Sequence, residues 1–191
     1  MVIESTYLEN DRFGYSCYAV ALPASDELTM QLSLIEKEAG QTRAKISSHI
    51  TVKGTFYEPV NLTEVLETID RIASAHGRII LLSAGNEVYG TEKSPGFRFI
   101  LTDDIQSLHD QLVAAIEPVI KPAHVDDPFR CHLSIVDTVR PSGVERAVEL
   151  GRQIVLPEGL EFPFLDTYGR DGNAIDGTWK RLSRFELAKS Q

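Results

Sequence analysis

The chain reads as an α+β fold, and two observations carry that reading. Segments of strand-like alternation are interleaved with segments of helical periodicity along 191 residues. One order of elements also occurs twice: strand, helix, histidine-bearing strand, capped helix. The histidines of that repeat, His49 and His132, stand 83 positions apart, and the echo suggests a duplicated unit. The length suits one domain over residues 1–191, built from two echoed lobes.

Each element has a local cause. "GYSCYAVALP" (14–23) is rich in β-formers and stops at Pro23. Ser25 then caps a helix with an apolar stripe of Leu28, Leu32, Ile35 and Ala39, ended by Gly40. The first histidine strand follows in "SSHITVKGTF" (47–56). Asn61 and Glu64 have capping-box spacing and open a helix whose inner face is Leu62, Val65, Leu66, Ile69, Ile72 and Ala73. "RIILLSAGNEVYG" (78–90) and the Pro-Gly turn at 95–96 are hairpin material.

The second half retraces the first. "FRFIL" (97–101) predicts a short strand, and residues 103–117 a helix with Ile105, Leu108, Leu112 and Ile116 inward and Pro118 as its stop. "FRCHLSIVDTV" (129–139) is the second histidine strand. Ser142 and Glu145 repeat the capping-box spacing before Val144, Ala147 and Val148, and Gly151 closes that helix. The tail, from Leu160, predicts two or three strands around an Asp-Gly-Asn turn. "DGNAIDG" in that turn is no calcium loop, because Ile175 takes a ligand position and Leu182 stands where a glutamate is required.

Composition narrows the function. With 42% hydrophobic and 25% charged residues the chain is ordinarily globular. A net charge of −9 excludes a protein that grips long duplex nucleic acid through many phosphates, which needs clustered Lys and Arg. A small or short phosphate ester is compatible with it. The acidic start "MVIESTYLENDR" carries no basic-then-apolar leader, and no apolar run approaches about 18 residues. A soluble, cytoplasmic chain with no membrane partner is therefore expected. Cys17 and Cys131 lack paired spacing, so buried reduced thiols are expected rather than a zinc site or a disulfide.

Side chains alternate across a strand, which places His49, Thr51 and Lys53 on one face and Ile50 and Val52 on the other. Likewise Arg130, His132 and Ser134 oppose Cys131, Leu133 and Ile135. Each strand thus offers an imidazole, a hydroxyl and a cation. An imidazole, with a reference pKa of about 6.5, is present in both protonation states near neutrality. One ring can activate the attacking oxygen at phosphorus while the other protonates the leaving oxygen, in either assignment. Thr51 and Ser134 can donate to the non-bridging oxygens, and Lys53 and Arg130 can offset charge there, without a metal or cofactor. One His-x-Ser/Thr is worth little alone; two, in echoed positions, point to a paired active site.

The remaining histidines have ordinary readings. His76 ends a helix, where a cation suits the dipole, and His109 is expected on a helix's outer face. His124, with Asp126 and Asp127, lacks the rest of a ligand set. Tyr57, Tyr89, Phe97, Tyr168 and Trp179 can stack on a base, although core or rim positions are the simpler reading for most of them.

"HITV" and "HLSI" resemble the paired motifs of the 2H phosphoesterases, which include 2′-5′ RNA ligase-like proteins and cyclic nucleotide phosphodiesterases. "HITVKGTF" and the closing "TWKRLSRFEL" support the resemblance, which spans about residues 14–188. It implies a bilobal, pseudo-twofold α+β fold, with two mainly antiparallel sheets, flanking helices and a central cleft. It implies metal-independent action on 2′,3′-cyclic or 2′-5′ phosphodiesters, with His49, Thr51, His132 and Ser134 carrying the site. The partner implied is a small cyclic nucleotide or short RNA end. Family members often carry Pro before each histidine, where this chain has Ser48 and Cys131. The rival is a catalytically silent module of the same fold that holds a nucleotide or RNA end; a third reading is an interaction domain with its histidines apart.

Overall fold

A computed structural model describes residues 10–40, 46–89, 95–123, 128–136, 141–173 and 177–188. In chain order the elements are β1 (Cys17–Pro23), α1 (Asp26–Glu38), β2 (His49–Tyr57), α2 (Leu62–Ala75), β3 (Ile79–Tyr89), β4 (Gly96–Phe99), α3 (Asp103–Ile116), a 3-10 turn (Glu117–Val119), β5 (Lys121–Pro122), β6 (His132–Ser134), α4 (Pro141–Gly151), β7 (Gly159–Phe162), β8 (Phe164–Asp171) and β9 (Thr178–Glu186).

The helix signals act as their chemistry requires. Ser25 accepts from the Leu28 amide and Asn61 from the Thr63 amide, each satisfying a donor that the first helical turn leaves open. Gly40 takes φ +71°, the left-handed geometry that ends a helix cheaply when there is no Cβ. Helix α4 is described over Pro141–Gly151, a span that includes the expected cap residue Ser142, and residues 137–140 ahead of it lie outside the described ones.

The strands run β7-β3-β4-β6-β2-β1-β8-β9, with β5 beside β2, and the neighbouring pairs are antiparallel. Two four-stranded halves, β6-β4-β3-β7 and β2-β1-β8-β9, meet edge to edge where Ile50 pairs with Leu133. The expected two sheets are therefore continuous through one residue pair and form a curled surface. A pseudo-twofold relation exchanges β2 with β6 and β1 with β4. Helix α2 packs on α3 and α1 on α4, so each helix pair draws one member from each half of the chain.

All four helices contribute to one core on one face of the sheet. Leu28, Leu32 and Ile35 of α1, Val65 and Ile69 of α2, Ile105 and Leu112 of α3 and Ala147 of α4 close on Val20, Ile50, Phe97, Leu133 and Leu165. The opposite face carries a small apolar floor of Ala19, Ala21, Ile46 and Tyr168, with Trp179 against it. Strand alternation sends Tyr18, Val20 and Leu22 of β1 to the first cluster, and Ala19 and Ala21 to the second. That second face is the one on which the histidines stand, opposite Ile50 and Leu133.

Thr167, the Cα partner of Val20, is fully buried, and no described residue meets its Oγ1. A buried hydroxyl without a partner costs free energy that an isosteric methyl does not. Thr167→Val is therefore expected to raise unfolding stability by about 1 kcal/mol; a loss in chemical denaturation would show that the hydroxyl is satisfied.

No helix among the described residues is long and apolar enough to cross a membrane. Cys17 and Cys131 are buried free thiols, and burial pushes the Cys131 thiol up to about 12, which removes its nucleophilic form at neutral pH.

Candidate active site

The site grows from the Ile50–Leu133 pair. Both side chains are fully buried on the helix side, so their neighbours in sequence face the opposite side of the sheet. Antiparallel continuation about that pair sets His49 across from Ser134, and Thr51 across from His132. Directly opposed side chains start about 5 Å apart, and diagonal ones about 7–8 Å. The two histidines are the diagonal pair, with a hydroxyl directly across from each. A phosphate lying over Ile50 and Leu133 would have one imidazole on either flank.

The rings are held alike. Nδ1 of His49 donates to the Ser47 carbonyl at 2.7 Å, and Nδ1 of His132 to the Arg130 carbonyl at 2.9 Å. In both cases the acceptor lies two residues back along the strand. A carbonyl only accepts, so the proton of the neutral ring sits on Nδ1 and Nε2 is the basic nitrogen. Both histidines are partly exposed, as proton exchange with a bound ligand requires.

The cation on the first strand does not stand where alternation put it. Lys53 is fully buried, and its Nζ lies 3.4 Å from Glu117 Oε1 at the C-terminal end of α3. Register shifts on either side of Val20 explain this. Val20 pairs with Lys53 whereas Ala21 pairs with Thr51, so an extra residue enters β2 between Thr51 and Lys53. A bulge of this kind breaks the two-residue period and turns Lys53 to the helix side, where an ammonium also suits the end of a helix. On the second strand, Arg130 is exposed on the segment that enters β6. That strand is shorter than expected, three residues from His132 to Ser134.

His109 is likewise not on an outer face. It is 5% exposed, its Nδ1 donates to the Val52 carbonyl at 2.6 Å, and its ring stacks on Phe129 with centroids 4.3 Å apart. It joins the interior of β2 to the segment that carries Arg130 and His132. His124, Asp126 and Asp127 lie outside the described residues, as do residues 174–176 of the Asp-Gly-Asn turn. Among the described residues no group of three His, Cys, Asp or Glu side chains is placed to hold a metal.

Two features of the site escape a reading by motif. Gly96 pairs with Ser134, and a Cβ there would sit 2.7 Å from the Leu133 carbonyl oxygen; only glycine lets β4 approach β6 this closely. Gly96→Ala is expected to displace Ser134 and to lower any turnover at this site by about a hundredfold, what a misplacement near 1 Å costs, with a folded far-UV spectrum retained. Unchanged turnover would show that the strand shifts without moving the site. The second feature is Arg98, exposed in β4 and paired with His132. Its signal in the sequence is a lone charge between two buried phenylalanines, Phe97 and Phe99. One cross-sheet row therefore runs Arg98, His132, Thr51, Ala21, Asp166, Arg184.

Of the aromatic side chains able to stack on a base, Phe97 and Tyr168 are buried, while Tyr57 and Trp179 are partly exposed. Trp179 packs on the small apolar cluster of Ala19, Ala21, Ile46 and Tyr168.

Comparison of the chain with known proteins finds likeness in structure rather than in sequence. No family model and no curated protein matches it. Among solved structures, TT0787 of Thermus thermophilus aligns with a TM-score of 0.62 at 14% identity, covering 92% of this chain and 100% of that one. E. coli LigT in its apo form aligns at 0.57 and 14% identity, covering 90% and 97%. A crystal structure described as a phosphoesterase aligns at 0.56 and 12% identity, covering 90% and 98%. The chain thus has the fold of LigT and of that phosphoesterase over nearly its whole length, and the resemblance drawn from its two histidine motifs is borne out at the level of fold.

Proposed function

We propose that the protein is a metal-independent phosphodiesterase of the 2H type, acting on 2′,3′-cyclic or 2′-5′ phosphodiester bonds of nucleotides or RNA ends. The observation that carries the reading is the matched pair of rings: His49 and His132, diagonal on one sheet face, each with Nδ1 tied to the carbonyl two residues back. Identical tethering leaves Nε2 as the basic nitrogen of both rings, which supports a role for the pair at one phosphate. E. coli LigT has been solved with 3′-AMP and with phosphate, which are ligands of this chemical kind.

In hydrolysis, Nε2 of one histidine takes a proton from water as its oxygen bonds to phosphorus. The bond from phosphorus to the leaving ester oxygen breaks, and the other histidine, protonated at Nε2, gives its proton to that oxygen. A cyclic ester is opened to a monoester by one water, and the two rings exchange protonation states. Thr51 and Ser134 donate hydrogen bonds to the non-bridging oxygens. Arg98, beside His132 in register, takes the charge-offsetting role first given to Lys53, and Arg130 adds a second guanidinium at the entrance to β6.

The test is hydrolysis of adenosine 2′,3′-cyclic monophosphate by the full chain in EDTA. Turnover that persists in the chelator is expected. Turnover abolished by EDTA removes the metal-free mechanism. Binding of nucleotide without turnover on cyclic or 2′-5′ substrates makes the chain a silent binding module.

A further inference from the structure

Beyond the histidines, the same sheet face continues into a cluster that the proposed chemistry leaves unused. Asp166 of β8 is fully buried and pairs in register with Ala21, which pairs in turn with Thr51. Its carboxylate accepts from Arg184 Nε and Nη2, both at 2.8 Å, and from the Tyr168 hydroxyl at 3.0 Å; Arg181 Nη1 lies 3.7 Å away. The guanidinium side chains are 38% and 49% exposed. The buried carboxylate thus fixes Arg184 by two hydrogen bonds and attracts Arg181, and both side chains stay partly open to solvent. Arg170, in register with Trp179 on the same face, hydrogen-bonds Ser16 Oγ at 3.1 Å. Against these three arginines stand the buried Asp166 and the exposed Asp26, which lies near enough to Arg184 to favour its charge. This local excess of guanidinium occurs on a chain of net charge −9.

Resting on the phosphodiesterase reading, we propose that Arg181 and Arg184 form a second phosphate subsite, so that the preferred substrate carries another phosphate one nucleoside away from the scissile one. Arg184 reaches back to Asp166 on β8, two strands or about 10 Å from Thr51 along the sheet. A sugar bridging two phosphates covers that interval. Trp179, packed on Ala19, Ala21, Ile46 and Tyr168, supplies an apolar wall beside it. Fixing a guanidinium beforehand removes the ordering cost that a free side chain would meet on binding.

Two paired measurements on the full chain test this. Binding by calorimetry compares adenosine 3′-monophosphate with adenosine 3′,5′-bisphosphate, and kcat/KM compares adenosine 2′,3′-cyclic monophosphate with its 5′-phosphorylated form. The extra phosphate is expected to tighten binding and raise kcat/KM about tenfold, as one charge-assisted contact provides. R181Q should lower both ratios by about threefold or more and R181E bring them to unity or below, while R71Q on the exposed face of α2 keeps the native ratio. Matching thermal melts establish that the variants are folded. Native ratios near one, or ratios that survive in R181Q and R181E, overturn the subsite. If neither cyclic substrate turns over but the binding preference holds and R181Q and R181E lower it, the subsite stands and the catalytic reading falls.

Discussion

His49→Ala and His132→Ala are each expected to lower kcat/KM on a 2′,3′-cyclic nucleotide by about 10²- to 10⁴-fold, with little change in unfolding stability. Both rings are partly exposed, and each has its Nδ1 tied to the carbonyl two residues back in the chain. The double variant should fall scarcely below the worse single one, because a proton taken by one ring is of no use unless the other returns one. Losses that multiply would show the rings acting independently. Native turnover should also follow a bell in pH, rising as the base ionises and falling as the acid does, with limits that belong to the pair. A flat profile between roughly pH 5 and 8 when chemistry limits the rate would remove the acid–base pair.

Arg184→Ala should cost about 3 kcal/mol of unfolding stability, more than most half-exposed arginines. The reason lies in what remains. Asp166 is fully buried, and without the two 2.8 Å contacts from Arg184 it keeps only the Tyr168 hydroxyl and a guanidinium at 3.7 Å among the described groups. Asp166→Ala should cost less, since the arginines it releases are 38% and 49% exposed and can turn to water. Urea denaturation of the two variants measures the difference. A larger loss in Asp166→Ala would mean that the carboxylate is well solvated and that the arginines depend on it rather than the reverse.

Much of the fold was legible because local chemistry decides it. Ser25 and Asn61 cap helices in the structure because a side-chain oxygen beside an open amide is favourable wherever the helix goes. The stripe Ile105, Leu108, Leu112 and Ile116 is buried because its spacing makes one face. The same spacing held His109, four residues after Ile105 and three before Leu112, and a histidine is polar enough to be misplaced by composition alone. Its burial follows from a carbonyl, that of Val52, that takes its proton. Lys53 is a different matter. Nothing local marks the residue inserted opposite β1, since a bulge is a property of two paired strands and only one is visible in a motif.

The order of elements, the two histidines and the hydroxyl two places after each were determined by the sequence alone, because periodicity and capping act within a few residues of one another. Tertiary structure decided that Ile50 meets Leu133, so that each hydroxyl faces the other strand's histidine. It also brought Arg98 into register with His132, and Asp166 with Arg184. Strand register is chosen by which apolar sides can share one core, and that choice is made between residues far apart in the chain.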